Sequence, residues 1–96
     1  MLDKIVTLTK PYPASYQEAP TDKISVQYAV IEIVKQVGLS YDWETSKRNT
    51  EPICRQWIWP DIKNIPCRKA LDNILGPVGL TYEIVEGKIV LLKRSK

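Results

Sequence analysis

The hydrophobic positions of this chain change period twice, in the same way each time. Apolar residues stand at Val26, Ala29, Val30, Ile33, Val34 and Val37, the three-and-four spacing that sets side chains on one helix face. After Gly38 the period falls to two: Leu39, Tyr41 and Trp43 alternate with Ser40 and Asp42, which reads as a strand with one buried face. The pattern recurs forty-one residues later, where Cys67, Ala70, Leu71, Ile74, Leu75 and Val78 predict a second helix in the same phase. Beyond Gly79, Leu80, Tyr82 and Ile84 alternate with Thr81 and Glu83.

The residues at these corners repeat as well. "VGLSYD" begins at Val37 and "VGLTYE" at Val78, and the same offset aligns Ile24 with Ile65, Ala29 with Ala70 and Ile33 with Ile74. Each glycine is expected to leave its helix through the left-handed conformation that a Cβ disfavours. Ser25 is expected to cap the first helix and Pro66 to occupy the first turn of the second. Pro77 should end the regular part of that second helix a turn early, since its ring clashes with the preceding turn.

Shorter elements flank the two units. Glu86-Gly87 is a tight-turn signal between two apolar runs, so residues 80–93 should form a C-terminal hairpin. "QWIWPDIKNI" sets Ile58, Pro60 and Ile62 against Trp57, Trp59 and Asp61, an edge strand by virtue of its proline. "KIVTLT" near the N-terminus is a further strand, while "KPYPASYQEAPTD" and "ETSKRNTEP" are polar and proline-bearing and read as loops.

The fold expected is therefore α+β, two pseudo-symmetric helix–strand repeats packed on small mixed β-sheets. One domain of 96 residues accommodates it: an N-terminal strand and proline-rich loop over 1–22, a first repeat over 23–43, a loop over 44–56, and a second repeat with the hairpin over 57–93. Neither helix can bury its stripe alone, so the two must share a core.

From Lys23 onward the sequence resembles the secretin and TonB short N-terminal domain family. The likeness rests on Lys63-Asn64-Ile65-Pro66, Ala70-Leu71, Gly79-Leu80-Thr81-Tyr82 and Gly87-Lys88-Ile89-Val90, with Ile24 to Trp43 resembling the family's other half. Two stretches depart from the family's pattern: the long segment "ETSKRNTEPICRQ" and the proline-rich segment before Lys23. What the resemblance implies is a non-enzymatic periplasmic docking module of bacterial envelope secretion, transport or transmembrane signalling systems, with another protein as partner. These motifs are packing residues, so they speak to fold more than to role.

Charge and composition narrow the chemistry. With 44% apolar and 26% charged residues, the chain has the makings of a core and is not a disordered segment. A net charge of +3, with the basic pairs separated by acids, describes a solvated surface better than a phosphate-binding face. "GPVG" (Gly76 to Gly79) spells an RNA-binding GxxG loop, but it leads from a helix into a strand and Pro77 removes one donor. A nucleic-acid-binding or regulatory module and a structural or oligomerisation domain are the alternative classes. No apolar run approaches the ~20 residues of a membrane span. A fragment of an exported protein would belong to the periplasm or cell envelope, and a chain starting naturally at Met1 to the cytoplasm.

The chain has no histidine, so no cofactor, metal or catalytic set built on imidazole is expected, and serine, threonine and cysteine lack an activating base. Asp42, Glu44, Glu83 and Glu86 are expected to face water. Cys67 lies on the apolar stripe, and in an oxidising compartment a disulfide to Cys54 is conceivable. The candidate partner-binding residues are Trp57 and Trp59. If Ile58 and Ile62 face the helices, both indoles point away and can anchor a partner; otherwise the N-terminal strand or the long loop covers them. The strand after Gln56 is also the edge expected to accept a partner's strand.

Overall fold

A computed structural model describes residues 2–9 and 23–94; the proline-rich loop expected between Lys10 and Asp22 lies outside them. The elements run β1 (Ile5–Leu8), β2 (Ile24–Ser25), α1 (Val26–Lys35), β3 (Ser40–Tyr41), α2 (Trp43–Thr50), β4 (Trp57–Ile58), β5 (Ile62–Pro66), α3 (Cys67–Leu75), β6 (Leu80–Val85) and β7 (Lys88–Lys93), with short 3-10 turns at Ile53–Arg55 and Gly76–Val78. The architecture is a small α+β fold, three helices with three small sheets: β1 with β5, β2 with β4, and β3-β7-β6.

The two helices predicted from periodicity are present, and they pack against each other. Val26, Ala29, Val30, Ile33 and Val34 of α1 and Cys67, Ala70, Leu71, Ile74 and Leu75 of α3 are all buried. Together with Val6, Ile24, Ile62, Leu80, Ile89 and Leu91 they form one contiguous hydrophobic core.

Helix ends follow the chemistry of their residues. The Ser25 side chain accepts the Tyr28 N–H, and Gly38 takes φ +81° while the Leu39 N–H reaches back to the Val34 carbonyl at 3.1 Å, a Schellman closure. Gly79 repeats the positive φ at +75°. The α-helical part of α3 stops at Leu75, and Pro77 sits in the 3-10 turn that follows. Pro66, expected inside the first turn of α3, is instead the residue before it. Having no side chain to cap with, it leaves the first amides to the N-terminal segment, whose Lys4 and Leu2 carbonyls accept from Cys67 and Arg68 at 2.8 and 2.9 Å.

The segment after Leu39 corrects two expectations. Alternation predicted a strand running through Trp43 and a loop from Glu44 to Pro52, yet β3 stops at Tyr41 and residues 43–50 are helical. The Asp42 carboxylate is the reason: it accepts the Thr45 N–H at 3.0 Å and caps the helix. Asp42 is accordingly half-buried and engaged, not facing water as expected.

The hairpin forms as predicted, with Glu86 and Gly87 at φ +52° and +77° matching a type I′ turn. β3 runs parallel to β7 on its other side but pairs through Ser40 and Tyr41 alone. Beyond that point α2 takes over as β7's neighbour. Ser46 Oγ accepts the Leu91 N–H at 2.9 Å and Asn49 Nδ2 donates to the Leu91 carbonyl at 3.1 Å. The same device serves β1, where Gln36 accepts from the Thr7 N–H at 3.0 Å and donates to the Thr7 carbonyl at 2.8 Å. Buried backbone groups need partners, and here helix side chains supply what a further strand would.

Candidate functional site

The stretch from Gln56 to Ile65, expected as one edge strand, is two strands in two sheets. β4 pairs antiparallel with β2, setting Ile24 against Ile58 and Ser25 against Trp57; β5 pairs with β1, setting Leu8 against Ile62. Residues 59–61 cross between them outside any strand, and Pro60, which has no N–H for a ladder, sits in that crossing. The alternation survives the break. Ile58 packs on the core and Ile62 is buried, while Trp57 and Trp59 are 37% and 56% exposed.

Both indoles line one surface groove. Gln56, Ile58 and Pro60 from the same stretch, Asn73 and Ile74 of α3, and Pro77 and Val78 of the following turn complete its lining. Three side chains of this lining also belong to or pack on the core: Ile58, Ile74 and Val78. That part of the lining is therefore held by the fold, and the indoles are its exposed part. No lining residue of the groove carries a charge. Charge gathers instead around Trp59: Lys23 Nζ lies 4.9 Å from its ring centroid, a cation–π distance, and Asp61 and Lys63 share a second depression with its outer side. Such a site, apolar within and charged at one rim, can hold an apolar, aromatic or proline side chain.

The groove contains no acid–base pair, thiol or hydroxyl. Both cysteines are elsewhere, buried and free, so the disulfide considered between Cys54 and Cys67 is not formed. Burial pushes the Cys67 thiol above its ordinary pKa, which suppresses the reactive thiolate. Among the described residues no group of three or more acids and cysteines gathers in a metal-binding arrangement, and no helix is long and apolar enough to cross a membrane.

Sequence reasoning found the tryptophans but not the rest of the lining. Pro77 and Val78 were legible as helix-terminating residues, and nothing local says that this terminus folds against Gln56–Pro60. A third indole, Trp43, was placed on a strand; it starts α2, is 38% exposed and leans on the rings of Tyr28 and Tyr41, 5.3 and 6.2 Å between centroids. Its signal was the Asp42 cap with Glu44 in the first turn and Lys47 and Arg48 in the last.

Compared with known proteins, the chain matches no family model, no curated protein and no solved structure.

Proposed function

We infer that the chain is a non-catalytic protein–protein docking module, with the Trp57–Trp59 groove as its contact surface. The observation that carries this reading is that two exposed large hydrophobic residues of one short stretch are both tryptophans and line the same uncharged groove. Exposed indoles beside a core-anchored apolar lining are what interface hot spots are made of.

The setting proposed is a bacterial envelope secretion, transport or transmembrane signalling system, on the strength of the resemblance to the secretin and TonB short N-terminal domain. Several geometric correspondences support the two-repeat reading behind it. The first helical amide of α1, Val26, donates to the Gln56 carbonyl at 3.0 Å; its counterpart forty-one residues on, Cys67, donates to the Lys4 carbonyl at 2.8 Å. Ile24 pairs with Ile58, and its counterpart Ile65 pairs with Val6. The strands after both glycines, β3 and β6, flank the same strand β7.

The test is a peptide selection on the wild-type chain, followed by binding measurements on the Trp57→Ser/Trp59→Ser variant. Loss of binding by a variant whose ¹⁵N spectrum stays dispersed supports the reading. A variant that unfolds shows the indoles to be structural, and unchanged binding places the contact elsewhere. Steep salt dependence of binding to DNA or RNA would move the chain to the nucleic-acid class.

A further inference from the structure

The sheet β3-β7-β6 has two edges, and the protein treats them differently. β3 and then Ser46 and Asn49 of α2 close the edge on the β7 side. The other edge is β6, six residues long and, among the described residues, hydrogen-bonded to β7 alone. Its pairing sets Val85 against Lys88, Glu83 against Val90 and Thr81 against Leu92. The Arg94 N–H also donates to the Gly79 carbonyl at 3.0 Å, so the bonded pairs are those of Gly79, Thr81, Glu83 and Val85. By the alternation of an antiparallel ladder, the N–H and C=O groups of Leu80, Tyr82 and Ile84 then point away from β7. Leu80 is fully buried, which closes that position to an incoming strand, while the groups of Tyr82 and Ile84 meet no partner among the described residues.

Beyond the buried Leu80 end and the single charge of Glu83, the edge has few of the usual protections. β6 holds no proline, no lysine and no bulge, the devices by which edge strands are kept from pairing. Ile84 and Val85 are 42% and 46% exposed at its end. Elsewhere the chain spends side chains to close edges, as Gln36 does at Thr7.

We propose that β6 is a strand-addition site, which takes an extended segment of a partner protein antiparallel along Tyr82 and Ile84. Charge defines the segment. Glu83 is exposed on one face of the strand and Glu86 on the turn beyond it, while Tyr82 and Ile84 offer an apolar ledge on the other face. The occupant therefore alternates apolar residues, beside Tyr82 and Ile84, with a basic residue beside Glu83. A second copy fits poorly. Two-fold pairing centred on Glu83 opposes two carboxylates. Pairing centred on Tyr82 joins six residues a side, against the roughly 20–30 of a stable interface.

The proposal is independent of the tryptophan groove and is tested on the whole chain. The probe is a capped seven-residue peptide alternating valine with lysine or threonine, titrated while amide exchange is followed by NMR. The amides of Tyr82 and Ile84 should gain protection, with those of Thr81, Glu83 and Val85 unchanged. N-methylating the valines, whose amides face β6, should weaken binding at least tenfold; N-methylating the lysines should leave it within about twofold. Glu83→Lys should weaken the lysine peptide and favour a glutamate version. No protection at the two amides, equal effects of the two methylation phases, or protection that rises with concentration of the chain alone would each overturn it, the last by making a second copy the occupant.

Discussion

The Leu91 N–H donates to the Ser46 hydroxyl oxygen at 2.9 Å, and neither residue is exposed to solvent. A helix side chain thus completes the hydrogen bonding of the central strand where β3 has ended. Ser46→Ala leaves that amide buried and unpaired, which costs about 1–3 kcal/mol. The urea midpoint should fall accordingly, and by more than for Asn49→Ala, because Asn49 is half-buried and removing its side chain opens the Leu91 carbonyl to water. Equal midpoints for Ser46→Ala and wild type would show that the strand edge is satisfied another way.

Gly79 stands at φ +75°, and a Cβ built there would meet nothing within 4 Å. Gly79→Ala should therefore cost only the torsional penalty, about 1–2 kcal/mol, with Gly79→Asn losing less. For a domain of this size, 1 kcal/mol lowers the thermal midpoint by roughly 4–8 °C. An alanine variant as stable as wild type would mean the corner does not need the left-handed conformation.

Trp59→Ala removes the ring beneath Lys23, an exposed cation–π contact worth under about 1 kcal/mol, so the melting curve should shift little. Trp57, less exposed and paired in register with Ser25, should cost more when truncated. A larger loss at position 59 than at 57 would place Trp59 in the structural core and weaken the docking proposal.

Burial pushes the Tyr41 phenol well above its ordinary range, with the Ser46 hydroxyl opposing; Tyr82 moves the same way, through burial and then Asp72. Below pH ~10 tyrosine is protonated in both the folded and unfolded chain, and the groups contribute no pH dependence. Above it the unfolded chain loses protons that the folded chain keeps, so stability falls as pH rises. One such group gives up to about 1.4 kcal/mol per pH unit. Ultraviolet titration should show a late phenol that is absent in Tyr41→Phe, and that variant should have the shallower alkaline decline.

Both thiols are free and buried. Ellman's reagent should find almost none in the native protein and two per chain in denaturant, without prior reduction. Two fewer in denaturant would indicate a disulfide that this structure does not contain.

The sequence by itself determined α1, α3, their buried stripes, the glycine corners and the C-terminal hairpin. Each of these is set by contacts within a few residues, where side-chain period and turn chemistry act directly. Alternation set Trp57 and Trp59 on the face opposite Ile58 and Ile62 for the same reason, even with the strand interrupted at Pro60, but whether another segment covers them was left to the tertiary structure. Tertiary structure alone decided the rest. α2 hid behind the alternation of Leu39, Tyr41 and Trp43, and its buried positions are Ser46 and Thr50, polar residues that a hydrophobic pattern assigns to the surface. Ser46 is inside because the backbone of β7, more than forty residues away in sequence, has a bond there to be met, and Thr50 satisfies its hydroxyl by donating to the Ser46 carbonyl. The rest of the lining of the tryptophan groove and the open edge of β6 likewise depend on which distant segments pair. Periodicity says which face of a strand is buried, but not what lies beside it.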